Sequence, residues 1–158
     1  NLDLQVESNR VRPFTYSHNS GIANYTHYNQ PLAHPLGANF QEFIGILRYQ
    51  PDPRWYINGK IIYYKQRLDS VSGKNFAVNP FVYNNSRTGD YGYDIGSGRK
   101  ATCFNGMLQV SYELRENLYL ELTGHQRNYK IENETGQNNT TIITAGIRFN
   151  IMKREYDY

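Results

Sequence analysis

The chain has 158 residues, a net charge of +3, 39% hydrophobic and 15% aromatic residues, and a mean hydropathy of −0.73. Its longest apolar run, Ile61-Ile62-Tyr63-Tyr64, excludes a membrane-spanning helix, which needs ~20 such residues. The aromatic content excludes a disordered chain, the slight and scattered charge leaves no nucleic-acid footprint, and a single cysteine, Cys103, excludes a disulfide framework or multi-cysteine metal site.

Alternation with period two is the dominant signal, and it predicts six strands. The first, 2–12, sets Leu2, Leu4 and Val6 against Asp3, Gln5 and Glu7. The second, 40–50, sets Phe43, Gly45, Leu47 and Tyr49 against Glu42, Ile44, Ile46 and Arg48. In the third, 54–66, Trp55, Ile57, Gly59, Ile61 and Tyr63 oppose Tyr56, Asn58, Lys60, Ile62 and Tyr64. The fourth, 102–114, alternates Phe104, Gly106, Leu108, Val110 and Tyr112 with Asn105, Met107, Gln109, Ser111 and Glu113. The fifth, 117–130, has Leu118, Leu120, Leu122 and Gly124 on one side and Tyr119, Glu121, Thr123 and His125 on the other. The sixth, 140–152, has Ile143, Ala145, Ile147, Phe149 and Ile151 against Thr144, Gly146, Arg148 and Asn150.

The connections set the fold class. Gln50-Pro51-Asp52-Pro53 and Arg115-Glu116 read as tight turns. The other connections, 13–39, 67–101 and 131–139, are longer and all fall at the opposite end. Unstructured loops of that length argue against a compact soluble domain. They fit an all-β, antiparallel transmembrane β-barrel with short periplasmic turns and long extracellular loops at 13–39 and 67–101. Segments 22–28 and 76–83 have strand-like composition, but promoting them would split the long connections between the two ends; they are expected as ordered parts of outer loops.

A tight turn at 50–53 predicts Tyr49 opposite Trp55 and Gly45 opposite Gly59. Tyr49, Trp55, Tyr63, Phe104, Tyr112 and Phe149 are the expected membrane-interface aromatics, where amphipathic rings are favoured. Trp55 to Tyr63 and Phe104 to Tyr112 are each eight residues apart, roughly 20 Å of height at ~3.3 Å per residue and a tilt of about 40°, close to the ~25 Å apolar band of such barrels. The other face carries Asp3, Glu7, Glu42, Lys60, Glu113, Glu121, Arg127 and Arg148. Mixed signs read as a wet or plugged interior rather than an ion-selective ring, and Glu121 and Arg148, on adjacent strands, are placed to pair. Six strands do not close a barrel, for which about eight is the minimum. The chain begins in mid-alternation, so the remaining strands are expected upstream of Asn1, which makes these the C-terminal six or so strands of a larger barrel.

Alternation stops over 13–39, where Arg, Asn, Gln, His and Tyr crowd between Pro13, Pro31 and Pro35. Planar donors and ring faces suit sugar hydroxyls, and Arg pairs bidentately with carboxylates of acidic polysaccharides. Arg10, Arg12, Tyr16, His18, Tyr28, Gln30 and His34 are therefore the candidate polysaccharide-binding residues. His18, His27 and His34 match no metal-ligand spacing, Gly96-Ser97-Gly98-Arg99-Lys100 lacks the glycine frame of a phosphate loop, and no nucleophile–base arrangement stands out. No metal, cofactor or catalytic residue is expected.

Asn9-Arg10-Val11-Arg12-Pro13-Phe14-Thr15-Tyr16-Ser17-His18 and Tyr28-Asn29-Gln30-Pro31-Leu32-Ala33-His34-Pro35-Leu36-Gly37-Ala38-Asn39 resemble the C-terminal part of Wzi-like capsule-assembly outer-membrane proteins. The nearest likeness is to their gliding-motility, RemB-type branch, and the stretch Pro31 to Gly37 is its most specific piece. The resemblance implies a non-enzymatic bacterial outer-membrane barrel of about eighteen strands that binds exported polysaccharide, with loops facing the cell exterior; it carries over no catalytic residues. The expected function is attachment of capsule or exopolysaccharide, or gliding motility and adhesion. Expected partners are outer-membrane lipid, surface polysaccharide and other outer-membrane proteins of a secretion or motility complex. The alternatives are a barrel subunit or scaffold of a surface secretion or adhesin complex, or an outer-membrane channel.

Overall fold

A computed structural model describes residues 1–69, 76–81, 91–134 and 136–150. The chain forms β1 (Leu2–Val11), a 3-10 turn (Gly21–Ala23), β2 (Thr26–His27), β3 (Gln30–Pro31), β4 (Phe40–Tyr49), β5 (Trp55–Leu68), β6 (Arg99–Arg115), β7 (Leu118–Ile131) and β8 (Gln137–Phe149). Six of these make one antiparallel sheet in the order β1-β4-β5-β6-β7-β8, and β2 pairs with β3 in a separate hairpin. The six alternating segments are thus all strands of one sheet. Each lies beside its neighbour in sequence, apart from the hairpin inserted between β1 and β4. β1 and β8 are not paired with each other, so the sheet is open.

The two ends of the sheet differ. At the turn end, residues 50–54 and Glu116-Asn117 join neighbouring strands; at the loop end lie 12–39, 69–98 and 132–136. The strands outrun the alternation at the loop end: β5 continues to Leu68 and β6 starts at Arg99, so the second long connection is shorter than 67–101. Glu132 N–H donates to Lys100 O at 2.8 Å, which keeps the ladder going past Ile131. The expected last strand to 152 is described only as far as Asn150; residues 151 and 152 lie outside the described residues.

The register around 50–54 differs from expectation by two residues. Tyr49 faces Ile57 and Gly45 faces Ile61, while Trp55 faces Tyr112 of β6. The cause is the turn itself. Pro51 and Pro53 have no N–H to donate, and Asp52 folds the intervening chain: its carboxylate accepts from Arg54 N–H at 3.1 Å and its carbonyl from Trp55 N–H at 3.1 Å. The ladder therefore stops at Tyr49 and Ile57. Because the slip is even, every side chain keeps its face.

The buried residues gather at the loop end. Phe40, Ala38, Ala77 and Ala101 are fully covered, and Phe14, Val78 and Cys103 nearly so. Segment 12–39 folds back over the polar face. Gln66 Nε2 donates to Leu36 O at 2.6 Å, and Asn39 Nδ2 donates to the carbonyls of Arg67 and Ser97 at 3.0 and 2.9 Å. Phe14 N–H reaches Phe76 O and Ala38 N–H reaches Val78 O, tying the first long connection to the second. Gly37, at φ +70°, lies so close that an added Cβ would sit 2.1 Å from Val78 O. Segment 22–28 is not a strand of the sheet; it holds the 3-10 turn and β2. Residues 76–81 are likewise outside the sheet, and 82–83 lie outside the described residues.

Candidate functional site

The first candidate surface is one whole face of the sheet. Register puts Leu4, Leu47, Gly59, Leu108, Gly124 and Ile143 in a single cross-sheet row; the row on its turn side is apolar throughout, and the row on its loop side is apolar as far as Gly106 and then runs into Gln126 and Thr141. Leu4 is 67% exposed, Ile143 74% and Ile147 72%; none of the described residues covers this face. Contiguous apolar surface on this scale is rare on soluble monomers and marks an interaction surface.

Aromatic residues border the face at both ends. At the loop end Phe43, Tyr63 and Phe104 stand side by side. At the turn end Trp55 and Tyr112 meet with ring centroids 4.8 Å apart, with Tyr49 and Phe149 nearby on the same face. All six of the expected interface aromatics therefore share one face. Phe43 belongs with them; its place in the alternating set of β4 was the signal for it.

The opposite face is polar and internally paired. Arg48 donates to Asp3 at 2.8 Å. Arg148 donates to Glu121 at 2.7 Å, the pairing foreseen from the sequence, and its guanidinium lies 4.1 Å from the Tyr119 ring centroid. Ser111 Oγ also donates to Glu121, at 3.2 Å, and His125 Nε2 contacts Asn105 Oδ1.

The second candidate site is at the loop end. A cavity of about 450 Å³ is lined by Arg12, Pro13, Phe14, Thr15, Tyr91, Gly92, Tyr93 and Asp94. Phe14 packs edge-on against Tyr93 at 4.8 Å, and Tyr91 is 94% exposed. A guanidinium, a carboxylate and two phenol rings converge here. That combination offers planar donors, an acceptor and stacking faces, as a sugar ring requires. Tyr91, Tyr93 and Asp94 were passed over as part of a glycine-bearing outer loop.

The seven residues expected to bind polysaccharide do not converge. Arg12 lines the cavity just described. Tyr16 stacks on Tyr25 at 6.1 Å, and the His18 backbone N–H donates to Asn24 Oδ1 at 2.6 Å with its ring exposed. Tyr28 and Gln30 belong to the β2–β3 hairpin. Tyr28 and Asn29 have φ of 45° and 58°, as a two-residue type I′ hairpin requires, which leaves Tyr28 89% exposed and edge-on to His27 at 4.2 Å. Arg10 is on the apolar face of β1, two residues beyond Ser8.

His34 is engaged in holding the loop down. Its Nδ1 accepts Leu36 N–H at 3.2 Å, so Nε2 carries the proton and donates to Glu42 Oε2 at 3.0 Å. Asn9 Nδ2 donates to the same carboxylate oxygen at 3.1 Å. Among the described residues no three His, Cys, Asp or Glu side chains gather as a metal site. Comparisons with protein families, with curated proteins and with solved structures find no match for this chain.

Proposed function

We propose that this chain is part of the wall of a bacterial outer-membrane β-barrel, with the apolar face against lipid, the polar face toward the lumen and the long loops at the cell surface. One observation carries the reading. Among the described residues, a six-stranded sheet leaves its apolar face uncovered, bordered by aromatic residues at both ends, while its other face is polar, ion-paired and covered at its loop end by segment 12–39. In water such a face would cost about 25 cal/mol for each Å² left exposed. In a bilayer it is the surface that the solvent demands.

The open edges β1 and β8 are completed by further strands of the barrel, because unpaired backbone groups in hydrocarbon each cost several kcal/mol. The barrel is non-enzymatic and acts in attachment of surface polysaccharide or in gliding-type motility, with Arg12, Tyr91, Tyr93 and Asp94 as the sugar-facing group. Two things support this part: the chemistry of that cavity, and the resemblance of 9–18 and 28–39 to capsule-assembly barrels.

The test is fractionation of cells making the full protein, with one epitope tag at Tyr28-Asn29 and another at Asp52. Recovery in a carbonate-resistant outer-membrane pellet is expected. The first tag should be reached by antibody on intact cells, and the second only after the membrane is opened. Recovery in the soluble fraction sinks the membrane reading. Unchanged retention of acidic surface polysaccharide by R12A/Y91A sinks the sugar assignment alone.

A further inference from the structure

Charge on the apolar face is segregated. From β1 to β8 its alternating sets contain no Asp or Glu, and their cations gather at the loop end, apart from Arg115, which the irregularity after Glu113 sets opposite Leu118 at the turn end. Arg10, Gln41, Lys65, Thr102 and Lys130 form one cross-sheet row. The row lies two residues, ~7 Å, beyond the aromatic row of Phe43, Tyr63 and Phe104, and its cations fall on every second strand, ~10 Å apart. Lys65 Nζ lies 5.8 Å from the Tyr63 ring centroid.

On the polar face Arg48, Arg99 and Arg148 are each bound to a carboxylate of the chain and Arg127 lies over the Tyr129 ring, while beyond the rim Arg67 pairs with Glu132 at 3.7 Å. Among the described residues no ion pair takes up Arg10, Lys65 or Lys130. Between Arg10 and Lys65 the surface dips into a niche of about 360 Å³, with Gln41 between the cations, Phe43 and Tyr63 at its lower margin, and Ser8, Asn9 and Glu42 completing the lining. It has cations on both flanks, an amide between them and rings below, at the depth where a bilayer changes from acyl chains to headgroups.

We propose that this niche holds the phosphate of an anionic lipid headgroup, clamped by Arg10 and Lys65, with Lys130 as a further contact along the same rim. The proposal rests on the membrane-wall reading and adds what that reading does not contain: a preference for one headgroup charge, and the residues that impose it. Long cationic side chains beside an apolar band settle at headgroup depth, and a phosphate there meets two of them, while the one carboxylate residue of the lining, Glu42, is already taken up by His34 and Asn9.

The test is native mass spectrometry of the full protein released from micelles titrated with phosphatidylglycerol or with phosphatidylcholine. Phosphatidylglycerol should be retained preferentially, by about fivefold for each cation engaged. R10Q/K65Q/K130Q should lose the preference, while R48Q/K60Q/R127Q, with the same charge removed from the polar face, should keep it. Independently of any variant, the preference of the unaltered protein should fall as salt is raised. Equal retention of the two lipids, a preference insensitive to salt, or a preference that survives the rim substitutions overturns the headgroup site and leaves the membrane wall standing. A protein that retains neither lipid and does not enter bilayers overturns both.

Discussion

His34 and Glu42 are joined at 3.0 Å where the first long loop lands on the sheet. Glu42 is only 7% exposed, on the polar face of β4, and its carboxylate takes the His34 Nε2 proton and an Asn9 amide proton at the same oxygen. The His34 ring also packs on Phe40 with centroids 4.4 Å apart. A proline-bound segment is thereby held to a buried charge and a buried ring at once.

Replacing His34 by Ala should therefore loosen the loop rather than the sheet. The expected cost is about 1–3 kcal/mol, that of leaving a buried acceptor short of a donor. Hydrogen exchange checks it: amides of 34–40 should lose protection while those of β5 and β6 keep theirs.

Gly37 gives a sharper steric test. G37A places a methyl against Val78 O in a left-handed conformation, whereas G92A, at φ +87°, meets no atom within 4 Å. The second substitution should cost about 1–2 kcal/mol for the backbone conformation alone. The first should cost clearly more, because the two long connections must separate. Thermal unfolding of the two variants gives the comparison.

Leu108 and Gln109 are neighbours in β6 on opposite faces, and Leu108 lies midway between the aromatic rows. L108R should impair insertion into bilayers by about 2–4 kcal/mol, the cost of Arg at the midplane of a lipid-facing strand. Q109R should be tolerated. Folding titrations into vesicles measure both, and equal behaviour of the two would remove the reason to place lipid on one side.

At the loop-end cavity, R12A should weaken retention of an acidic polysaccharide by roughly ten- to a hundredfold, in line with the loss of ~1.5–3 kcal/mol for a charge-assisted hydrogen bond. D94N should have a smaller effect, and R10A none, because Arg10 projects from the apolar face. Affinity electrophoresis through gels containing the polysaccharide separates these outcomes.

The strands were legible because alternation is a local signal. Trp55 to Tyr63 and Phe104 to Tyr112 declare their face within nine residues, and the sheet only had to align them. The Tyr49–Trp55 pairing was misjudged because register depends on how many residues the Pro51-Asp52-Pro53 turn consumes, which its hydrogen bonds decide. The loop-end cavity was not legible at all. Phe14 meets Tyr93, and Asn39 meets Ser97, across long separations that no periodicity marks. Arg10 was grouped with Arg12 for their closeness in sequence, although β1 ends at Val11 between them, so that only Arg10 stays on the sheet.

The directions of the two open edges have an arithmetic consequence. β1 runs from the turn end to the loop end, and β8 runs from the loop end to the turn end. A ring in which every neighbour is antiparallel can be completed between such edges only by an even number of additional strands, whichever polypeptide supplies them. A barrel completed in this way would have an even strand count, and the strand donated to the free side of β8 would itself rise toward the loops.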